Sequence, residues 1–355
     1  MPDIVQHCFG APGGGGPATA LQRLTEASAR AYPTIWQSAP AGGISVRYLW
    51  LFVRQLRRHR PRLVHVRGLG NEGFHAALAA RLAGVPHVLV SIHGTQRDLR
   101  QGSGGLRRWI VTRLLEPATL RLASAVTTVC GSAAERDFLR PYRTKMLPPV
   151  PNGVVLPLLP DSRGDAVREA LAIPPDRPVA VTVSRLTLEK GYGDLAAALR
   201  LLGSREPAIE LIVVGSGDAD GAIRDRFQGL RSTRVHFVGQ QADVGPYLAA
   251  ADLFVFPSWH ENLSNALLEA MSYGLPVVAT NVGGNQEVVA QGGGLLVPPH
   301  DPERLAAALD ALLSQPERRR LLGRAARETI ERQYSVEQMV AGWEHTYRQI
   351  LDRRS

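Results

Sequence analysis

The chain has 355 residues, of which 45% are hydrophobic and 21% charged. This length exceeds the usual size of a single domain, so we expect two. The two cysteines, Cys8 and Cys130, are too few for a disulfide framework and lack metal-ligand spacing. The sequence contains no run of about 18 apolar residues, so no membrane span is predicted. The start, MPDIVQHCFG, lacks the basic flank of a signal peptide. We therefore expect a cytoplasmic protein.

Positive charge is concentrated in the first half of the chain. Residues 1–150 hold 20 Lys and Arg against 7 Asp and Glu, a net charge of +13, whereas residues 151–355 carry −4. A cluster, RQLRRHRPR, spans 54–62. Such a half attracts anionic partners, namely phospholipid headgroups, a phosphate-bearing acceptor or nucleic acid. The alternative is that these arginines only cover solvated helix faces.

Short apolar segments alternate with helical ones along the whole chain. Strands are predicted, in chain order, at 3–9, 63–66, 87–92, 125–130, 178–184, 209–215, 235–239, 252–257, 276–279 and 294–298. Between them lie helical patterns such as EGFHAALAARLAG, which ends at Gly84, and GDLAAALRLLG, which ends at Gly203. Apolar strands that alternate with helices predict parallel sheets covered on both faces.

One Pro-rich segment interrupts this alternation. Residues 140–165 contain no helix pattern, and Asn152-Gly153 within them is a predicted turn. We therefore predict an α/β protein of two doubly wound domains, 1–150 and 151–335. The last segment, 336–351, is an amphipathic helix that could dock on either domain. Ligands of such sheets bind at the carboxyl ends of the strands, so candidate residues are sought there.

A glycine-rich segment, FGAPGGGGPATA (9–20), follows the first predicted strand. Consecutive glycines let backbone N–H groups approach a ligand, and the next helix turns its positive end toward them. The spacing formally meets the dinucleotide-binding fingerprint. That fingerprint also needs an acid about 20 residues later, and none occurs between Glu26 and Glu72. An NAD site is thus disfavoured, and a plain flexible turn stays an alternative.

The sequence VSRLTLEKG (183–191) places two cations after a predicted strand. Arg185 offers a planar fork of donors and Lys190 a point charge, and both suit a diphosphate. Exposed basic pairs are commonly only solvated. Their position at the carboxyl end of a strand favours a site.

The sequence SWHENLSNALLEAM (258–271) carries two acids eight residues apart, Glu261 and Glu269. Asn262 and Ser264 are both predicted caps of the helix that follows, and its first N–H groups suit an anion. If the stretch were helical throughout, the acids would lie about 12 Å apart along it. Carboxylates bind vicinal hydroxyls of sugars. Two unrelated surface acids are the alternative.

The segments RLTLEKG, FVG, FPSWHENLSNALLEAMSYGLPVVATNVGGNQEVV and GGGLLVP each follow a predicted strand, in this order. Here the chain resembles the retaining glycosyltransferases of the GT-B fold, glycosyltransferase family 4. The resemblance is strongest over 178–300 and looser in the first half, where SIHG and VPNGV fall in the expected order. It implies two Rossmann-like domains facing across a cleft, with the helix at about 336–355 crossing back to the first.

The resemblance also implies roles for individual residues. Arg185 and Lys190 would bind the donor diphosphate. Glu261 and Glu269 would be the first and last residues of the Glu-x7-Glu motif of the family. The implied catalytic residues are His93, Arg185, Lys190 and Glu261. The implied donor-binding residues are Gly14, Gly15, Arg185, Lys190, Gly239, Asn262, Leu263, Ser264 and Glu269. Asn262 replaces a glycine found in many members, which puts the identity of the sugar in doubt.

The resemblance implies a nucleotide-sugar donor, with UDP the commonest nucleotide, and no metal or other cofactor. The sequence does not identify the acceptor, which is expected to be a hydroxyl compound such as a glycan, a lipid-linked saccharide or a small metabolite. The basic first half is compatible with an anionic or lipid-linked one. Peripheral contact with the inner face of the membrane through the basic half is compatible with this function, and no nucleic acid is expected. The alternatives are an NAD-dependent oxidoreductase and a non-catalytic basic adaptor.

Overall fold

A computed structural model of the chain describes residues 3–10, 15–37, 45–95, 97, 105–203 and 209–352. The chain divides into two compact units. The first unit comprises residues 1–153 and 336–355, and the second comprises 154–335. In each unit helices pack on a parallel β-sheet. Each is a Rossmann-like α/β domain.

The first unit contains a five-stranded parallel sheet in the order β2-β1-β3-β4-β5. Its strands are β1 (Ile4–Phe9), β2 (Thr34–Gln37), β3 (Leu63–Arg67), β4 (His87–Ile92) and β5 (Ala125–Thr128). Valines on one face of these strands pack against Phe52 and Leu56, and the other face packs against Leu21 and Trp343. Both faces of this sheet are therefore covered, as is usual for a parallel sheet.

The helices of this unit lie between and beyond its strands. They are α1 (Gly16–Ala27), α2 (Val46–His59), α3 (Asn71–Leu82), α4 (Gly105–Ile110), α5 (Glu116–Leu122) and α6 (Gly131–Ala134). A π-helical turn, Val111–Leu115, joins α4 to α5, and a 3₁₀ segment spans Asp137–Lys145. Ser45 caps the start of α2, and its side chain accepts a hydrogen bond from the Tyr48 amide.

The second unit contains a six-stranded parallel sheet in the order β11-β10-β9-β6-β7-β8. Its strands are β6 (Val179–Val183), β7 (Ile209–Val214), β8 (Thr233–Gly239), β9 (Leu253–Phe256), β10 (Val277–Thr280) and β11 (Gly294–Val297). The order reverses between β6 and β9, which is the topological switch point where ligands of such sheets bind.

The helices of the second unit follow its strands in turn. They are α7 (Arg163–Ala170), α8 (Tyr192–Leu201), α9 (Asp220–Arg226), α10 (Gly245–Ala249), α11 (Asn265–Ser272), α12 (Gly284–Val289), α13 (Pro302–Leu313) and α14 (Pro316–Thr329). A 3₁₀ turn spans Leu188–Lys190, and a π-helical turn, Ile330–Tyr334, follows α14.

The last helix, α15 (Val336–Leu351), belongs to the first unit. Its buried side chains, among them Met339, Trp343 and Tyr347, join the core formed by α1 and the sheet. The amphipathic stripe predicted for this segment is therefore covered by the N-terminal part of the chain. No helix within the described ranges combines the length and apolar character needed to span a bilayer.

Two local features differ from the prediction. Strand β2 was not predicted, because TIWQ is a four-residue edge strand next to Pro33 and is only half-buried. The Pro-rich segment begins with the 3₁₀ helix Asp137–Lys145, which forms around Pro141 although the sequence shows no helix period. A 3₁₀ helix has three residues per turn, so the 3.6-residue pattern does not reveal it.

Candidate active site

The switch point of the second sheet brings together the segments that follow β6 and β9. The two strands are adjacent, since Ala180 pairs with Leu253 and Val181 with Phe254. The segment after β6 carries Arg185, and the one after β9 carries Glu261. Residues that are 71 apart in sequence, Lys190 and Glu261, thereby meet at the carboxyl edge of one sheet.

Arg185 is exposed at this edge because the next residue anchors the backbone. The Leu186 side chain is fully buried in the core, and its amide donates to the Ser216 carbonyl at 3.0 Å. The turn thus directs the guanidinium of Arg185 toward solvent, where it can meet an anion.

Lys190 and Glu261 form an ion pair at the same edge. The Lys190 Nζ atom lies 2.5 Å from Glu261 Oε1, and the two side chains are only 15% and 12% exposed. The ammonium also lies 5.8 Å from the centre of the Phe256 ring, within cation–π range. A pair this enclosed is screened less by solvent than a surface pair.

Glycine 191 lets the two segments approach closely. Its φ is +71°, and a Cβ atom there would lie 1.9 Å from the Pro257 carbonyl oxygen. The Trp259 amide donates to the Glu189 carbonyl at 2.8 Å, which ties the segments together next to Lys190. A side chain at position 191 would force them apart.

The backbone of Glu261 is held from the other side by α12. A Cβ atom on Gly283 would lie 1.8 Å from the Glu261 carbonyl oxygen, and the Gly284 amide donates to the Asn262 carbonyl at 2.5 Å. The Thr280 hydroxyl donates to the Ser258 carbonyl. Glu261 therefore sits on a segment fixed by contacts at both ends.

Helix α11 begins at Asn265, with Ser264 as its cap. The Ser264 hydroxyl accepts a hydrogen bond from the Leu267 amide at 3.3 Å, so of the two predicted caps Ser264 fills the role and Asn262 does not. Residues 261–264 are not helical, and the spacing of about 12 Å that assumed a continuous helix does not apply. Asn262, Leu263 and Ser264 are buried, and Glu269 lies in the second turn of α11.

Gly239 closes β8, two strands away from β6. Its φ is +73°, and its carbonyl accepts a hydrogen bond from the Gly215 amide at 2.8 Å. It therefore shares the carboxyl edge with Arg185 without touching the switch point.

Trp259, Asp194 and His300 form a cluster beside this site that the sequence did not reveal. The Trp259 indole donates to Asp194 Oδ2 at 2.6 Å, and its ring lies 4.4 Å from that of His300. His300 has a φ of +61°, unusual for a residue other than glycine. Asp194 stands in the first turn of α8, so the cluster braces the segment that carries Lys190 and Gly191.

Two predicted residues lie at the edge of the first sheet instead. Gly15 caps α1 with a φ of +103°, and His93 follows β4. The His93 Nε2 atom lies 3.1 Å from Ser91 Oγ, and burial, with the nearby charge of Arg67, lowers the pKa of His93 to about 3. Gly14 lies outside the described residues.

Buried polar residues of the first unit were missed because their strands are otherwise apolar. Gln6, His65, Arg67 and Ser91 stand on β1, β3 and β4, and all are at most 4% exposed. The signal available was a polar residue at every second position, as in LVHVR. Among the described residues, no group of three or more His, Cys, Asp or Glu could hold a metal ion.

Two family models match most of the chain. A family model described as "Glycosyl transferases group 1" matches residues 177–315, and one described as "Glycosyl transferase 4-like domain" matches residues 4–153. Alpha-maltose-1-phosphate synthase of Mycolicibacterium smegmatis is 32% identical over 308 residues, which cover 79% of this chain and 75% of that protein.

Two further relatives match over a shorter part. Lipopolysaccharide core biosynthesis glycosyltransferase LpsE of Rhizobium meliloti is 36% identical over 48% of this chain. The GDP-mannose-dependent monoacylated alpha-(1-6)-phosphatidylinositol monomannoside mannosyltransferase of Corynebacterium glutamicum is 34% identical over 54% of this chain. The chain spans 49% and 53% of their lengths, about half of each.

Solved structures with a similar fold cover the whole chain. Sucrose-phosphate synthase of Thermosynechococcus elongatus superposes with a TM-score of 0.79 at 22% identity, covering 100% of both chains. Anabaena HepE in complex with UDP-glucose superposes with a TM-score of 0.80 at 20% identity, covering 98% of this chain and 99% of that one. At this identity the match shows the fold alone.

Proposed function

Because this chain belongs to the glycosyl transferases group 1 family, we propose that it transfers a hexose-type sugar from a nucleoside-diphosphate sugar to a hydroxyl acceptor. The observation that carries the proposal is the Lys190–Glu261 ion pair beside the exposed Arg185, at the switch point of the second sheet. Two cations and a carboxylate at this edge suit a substrate that joins a diphosphate to a sugar.

The proposed roles of the residues follow from the charge that develops during the reaction. When the bond between the anomeric carbon and the diphosphate breaks, negative charge develops on the leaving oxygen. Arg185 and Lys190 stabilise that charge, with the first amides of α11 beyond Ser264. Glu261 orients the sugar through its hydroxyls and Glu269 binds the ribose. Further residues complete the donor site, namely the backbones of Gly15 and of Asn262 to Ser264, together with Gly14 and Gly239. His93 contributes a contact with the sugar.

We propose that the reaction retains the anomeric configuration. The acceptor oxygen attacks the face from which the diphosphate leaves, and the leaving oxygen takes the acceptor proton. Glu261 already forms an ion pair with Lys190, which suits an orienting group better than a covalent nucleophile. A proton NMR spectrum of the product distinguishes the outcomes. We expect an α-configured product from an α-linked donor, and a β-configured product would refute retention.

We propose UDP as the nucleotide. A similar fold has been solved with UDP-glucose, whereas two relatives are named for GDP-mannose. A thermal-shift series with UDP-glucose, UDP-galactose, UDP-N-acetylglucosamine, ADP-glucose and GDP-mannose separates these nucleotides. If GDP-mannose alone stabilises the protein, the proposed glycosyl transfer is unaffected and GDP, not UDP, is the nucleotide.

We further propose an anionic or lipid-linked acceptor, reached through peripheral contact with a membrane. Trp50 on α2 and Trp109 on α4 are 58% and 53% exposed, and Leu106 is 73% exposed. The last turn of α2 carries Arg57 and Arg58, and Arg54 lies over the Trp50 ring. Exposed aromatic and basic side chains on one helix are typical of interfacial binding. One relative is named for lipopolysaccharide core biosynthesis and another for a monoacylated phosphatidylinositol monomannoside.

The proposal needs no metal ion, because Arg185 and Lys190 already supply positive charge at the diphosphate. Full activity in the presence of EDTA is expected. Loss of activity that Mg²⁺ or Mn²⁺ restores would contradict this part.

The decisive experiment combines an activity assay with three variants. Lys190→Ala and Arg185→Ala should each lower turnover about a hundredfold or more, since each removes a charge that stabilises the transition state. Circular dichroism should be unchanged. The matched control is Arg231→Ala, an exposed arginine before β8. Wild-type turnover in either of the first two variants would exclude the diphosphate site.

A further inference from the structure

Two side-chain links join the segment after β6 to the segment after β9, and the Lys190–Glu261 ion pair is the first. The second is the hydrogen bond that the Trp259 indole donates to Asp194 Oδ2 at 2.6 Å. Lys190 and Asp194 are four residues apart around the start of α8. Trp259 precedes Glu261 by two residues. The second link therefore holds the same two segments together next to the first.

The second link joins a neutral donor to a charged acceptor. An indole N–H can only donate and an ionised carboxylate can only accept, so the direction of the hydrogen bond is fixed. Hydrogen bonds to a charged group are shorter and stronger than those between neutral groups. The Asp194 side chain is only 19% exposed, and it lies in the first turn of α8, where the helix dipole favours negative charge. Water therefore competes little for this bond.

Two further contacts hold Trp259 in place. Its amide donates to the carbonyl of Glu189, the residue before Lys190, at 2.8 Å. Its ring lies 4.4 Å from the ring of His300, whose φ is +61°. A backbone conformation this unusual for a residue other than glycine persists only where the surrounding contacts hold it. The position of Trp259 is thus fixed by contacts that do not involve the Lys190 side chain.

The two links respond differently to a bound donor. In the proposed function the diphosphate binds Lys190, so the ammonium leaves Glu261 when the donor arrives. The hydrogen bond between Trp259 and Asp194 contains no basic group that a diphosphate would attract. The first link is therefore lost on donor binding, and the second persists.

We propose that Asp194 and Trp259 are positioning residues, and that their hydrogen bond keeps Glu261 in place for the sugar once the donor diphosphate has taken Lys190. The inference rests on the proposed function, which gives Lys190 and Glu261 their ligands. A contact with α12 already holds the backbone after Glu261, so the Trp259 link completes the support before it.

This role predicts an effect that depends on the sugar. UDP carries no hexose and makes no use of Glu261, so its affinity should change by less than about twofold when the link is lost. UDP-glucose places hydroxyls against Glu261, so its binding and turnover should depend on the link. Isothermal titration gives both Kd values, and initial rates give kcat and KM. If the thermal-shift series selects GDP-mannose, then GDP and GDP-mannose are the two probes.

Variants of the two residues test the link. Trp259→Phe keeps a ring against His300 but removes the indole N–H, and it should lower kcat/KM for the donor about tenfold. Asp194→Leu should have the same effect, and the double variant should be no worse than either single one. Asp194→Asn keeps an acceptor oxygen and should restore kcat/KM to within about threefold of the wild-type value. Trp36→Phe, at a half-buried tryptophan on β2 of the first unit, is the matched control.

The hydrogen bond itself can be observed without turnover. In ¹H–¹⁵N spectra of the ¹⁵N-tryptophan-labelled full-length protein, Trp259→Phe assigns the indole N–H signal of Trp259. We expect that signal to lie downfield, to move upfield in Asp194→Leu, and to keep its slow hydrogen exchange when UDP-glucose is bound to the wild type. A signal that Asp194→Leu leaves unchanged overturns the link, and fast exchange in the bound protein overturns its persistence.

The outcomes separate this inference from the proposed function. If the wild type transfers sugar and Trp259→Phe keeps the wild-type kcat/KM, the positioning role is wrong and the proposed function stands. If Trp259→Phe weakens UDP and UDP-glucose equally, the link only supports the fold and the positioning role is again wrong. If the wild type binds no nucleotide sugar, both proposals are wrong. Should Trp259→Phe fail to fold, Asp194→Leu and Asp194→Asn give the same comparison.

Discussion

The ammonium of Lys190 lies 2.5 Å from a carboxylate oxygen of Glu261, and both groups are largely enclosed. In the proposed function the same ammonium binds the donor diphosphate. The carboxylate and the diphosphate are both anions, so they compete for one cation when no sugar is present. A bound donor would place its sugar hydroxyls against Glu261 and so give the carboxylate new partners as Lys190 turns to the phosphates.

Neutralising Glu261 should therefore separate product binding from turnover. Glu261→Gln is expected to bind UDP about fivefold more tightly, or about 1 kcal/mol, because the amide no longer competes for Lys190 or repels the phosphates. Turnover should fall at least tenfold, since the sugar loses its carboxylate contact. Isothermal titration with UDP and initial rates with the donor measure the two effects. Glu317→Gln on α14 is the control. Weaker UDP binding in Glu261→Gln would contradict the competition.

Gly191 offers a test of how the site is held together. Gly191→Ala should lower the Tm of the second unit by several degrees and abolish activity, because a Cβ atom at a φ of +71° would strike the Pro257 carbonyl. The matched control is Gly221→Ala in α9, where nothing lies within 4 Å of the added Cβ and the helix should gain slightly. Differential scanning calorimetry compares them. Equal melting curves for wild type and Gly191→Ala would refute the close approach.

The site could be predicted from sequence where local patterns carry the information. Arg185 and Glu261 both follow largely apolar strands, and parallel topology alone puts such residues at one edge of the sheet. The distance between Lys190 and Glu261 could not be predicted, because it depends on loops that pack around Gly191. Strand β2 was not predicted for a similar reason, since its four residues take their structure from pairing with β1.

The hydrogen-bonded polar side chains that α15 covers on the first sheet were the least predictable feature. Gln6 and Tyr347 are 341 residues apart, and each looks unremarkable in its own segment. Their meeting depends on the last helix packing against the first unit, which the amphipathic pattern of that helix alone did not decide. The resemblance suggested the packing but not the hydrogen bonds.

The buried histidines predict how stability depends on pH. Burial lowers the pKa of His7 to about 4 and that of His93 to about 3, whereas an unfolded histidine titrates near 6.5. Below pH 6.5 the unfolded chain binds protons that the folded one does not. Stability is therefore complete above pH 6.5 and is lost as pH falls toward 4, by about 1.4 kcal/mol per histidine for each pH unit.

Hydrogen exchange of the β1 and β3 amides at pH 7.5 and 5.5 measures this effect in the first unit. We expect the free energy of opening to fall by about 4 kcal/mol in the wild type, because His7, His65 and His93 each contribute about 1.4 kcal/mol between these pH values. His7→Gln keeps a polar partner for Gln37 and should reduce the fall by the share of one histidine. An equal fall in both proteins would show that His7 is not buried as a neutral ring.

Membrane contact can be tested with vesicles. We expect the protein to sediment with vesicles rich in anionic phosphatidylglycerol and not with pure phosphatidylcholine, and binding should weaken as salt rises from 50 to about 300 mM. Trp50→Ala should lower the partition coefficient about tenfold, since an exposed indole loses its place in the interface. Leu321→Ala removes a side chain that is 64% exposed on the second unit and is the matched control. If both variants lose vesicle binding equally, α2 is not the membrane contact. If the protein binds neutral vesicles as strongly as anionic ones, the arginines of α2 do not contribute to binding.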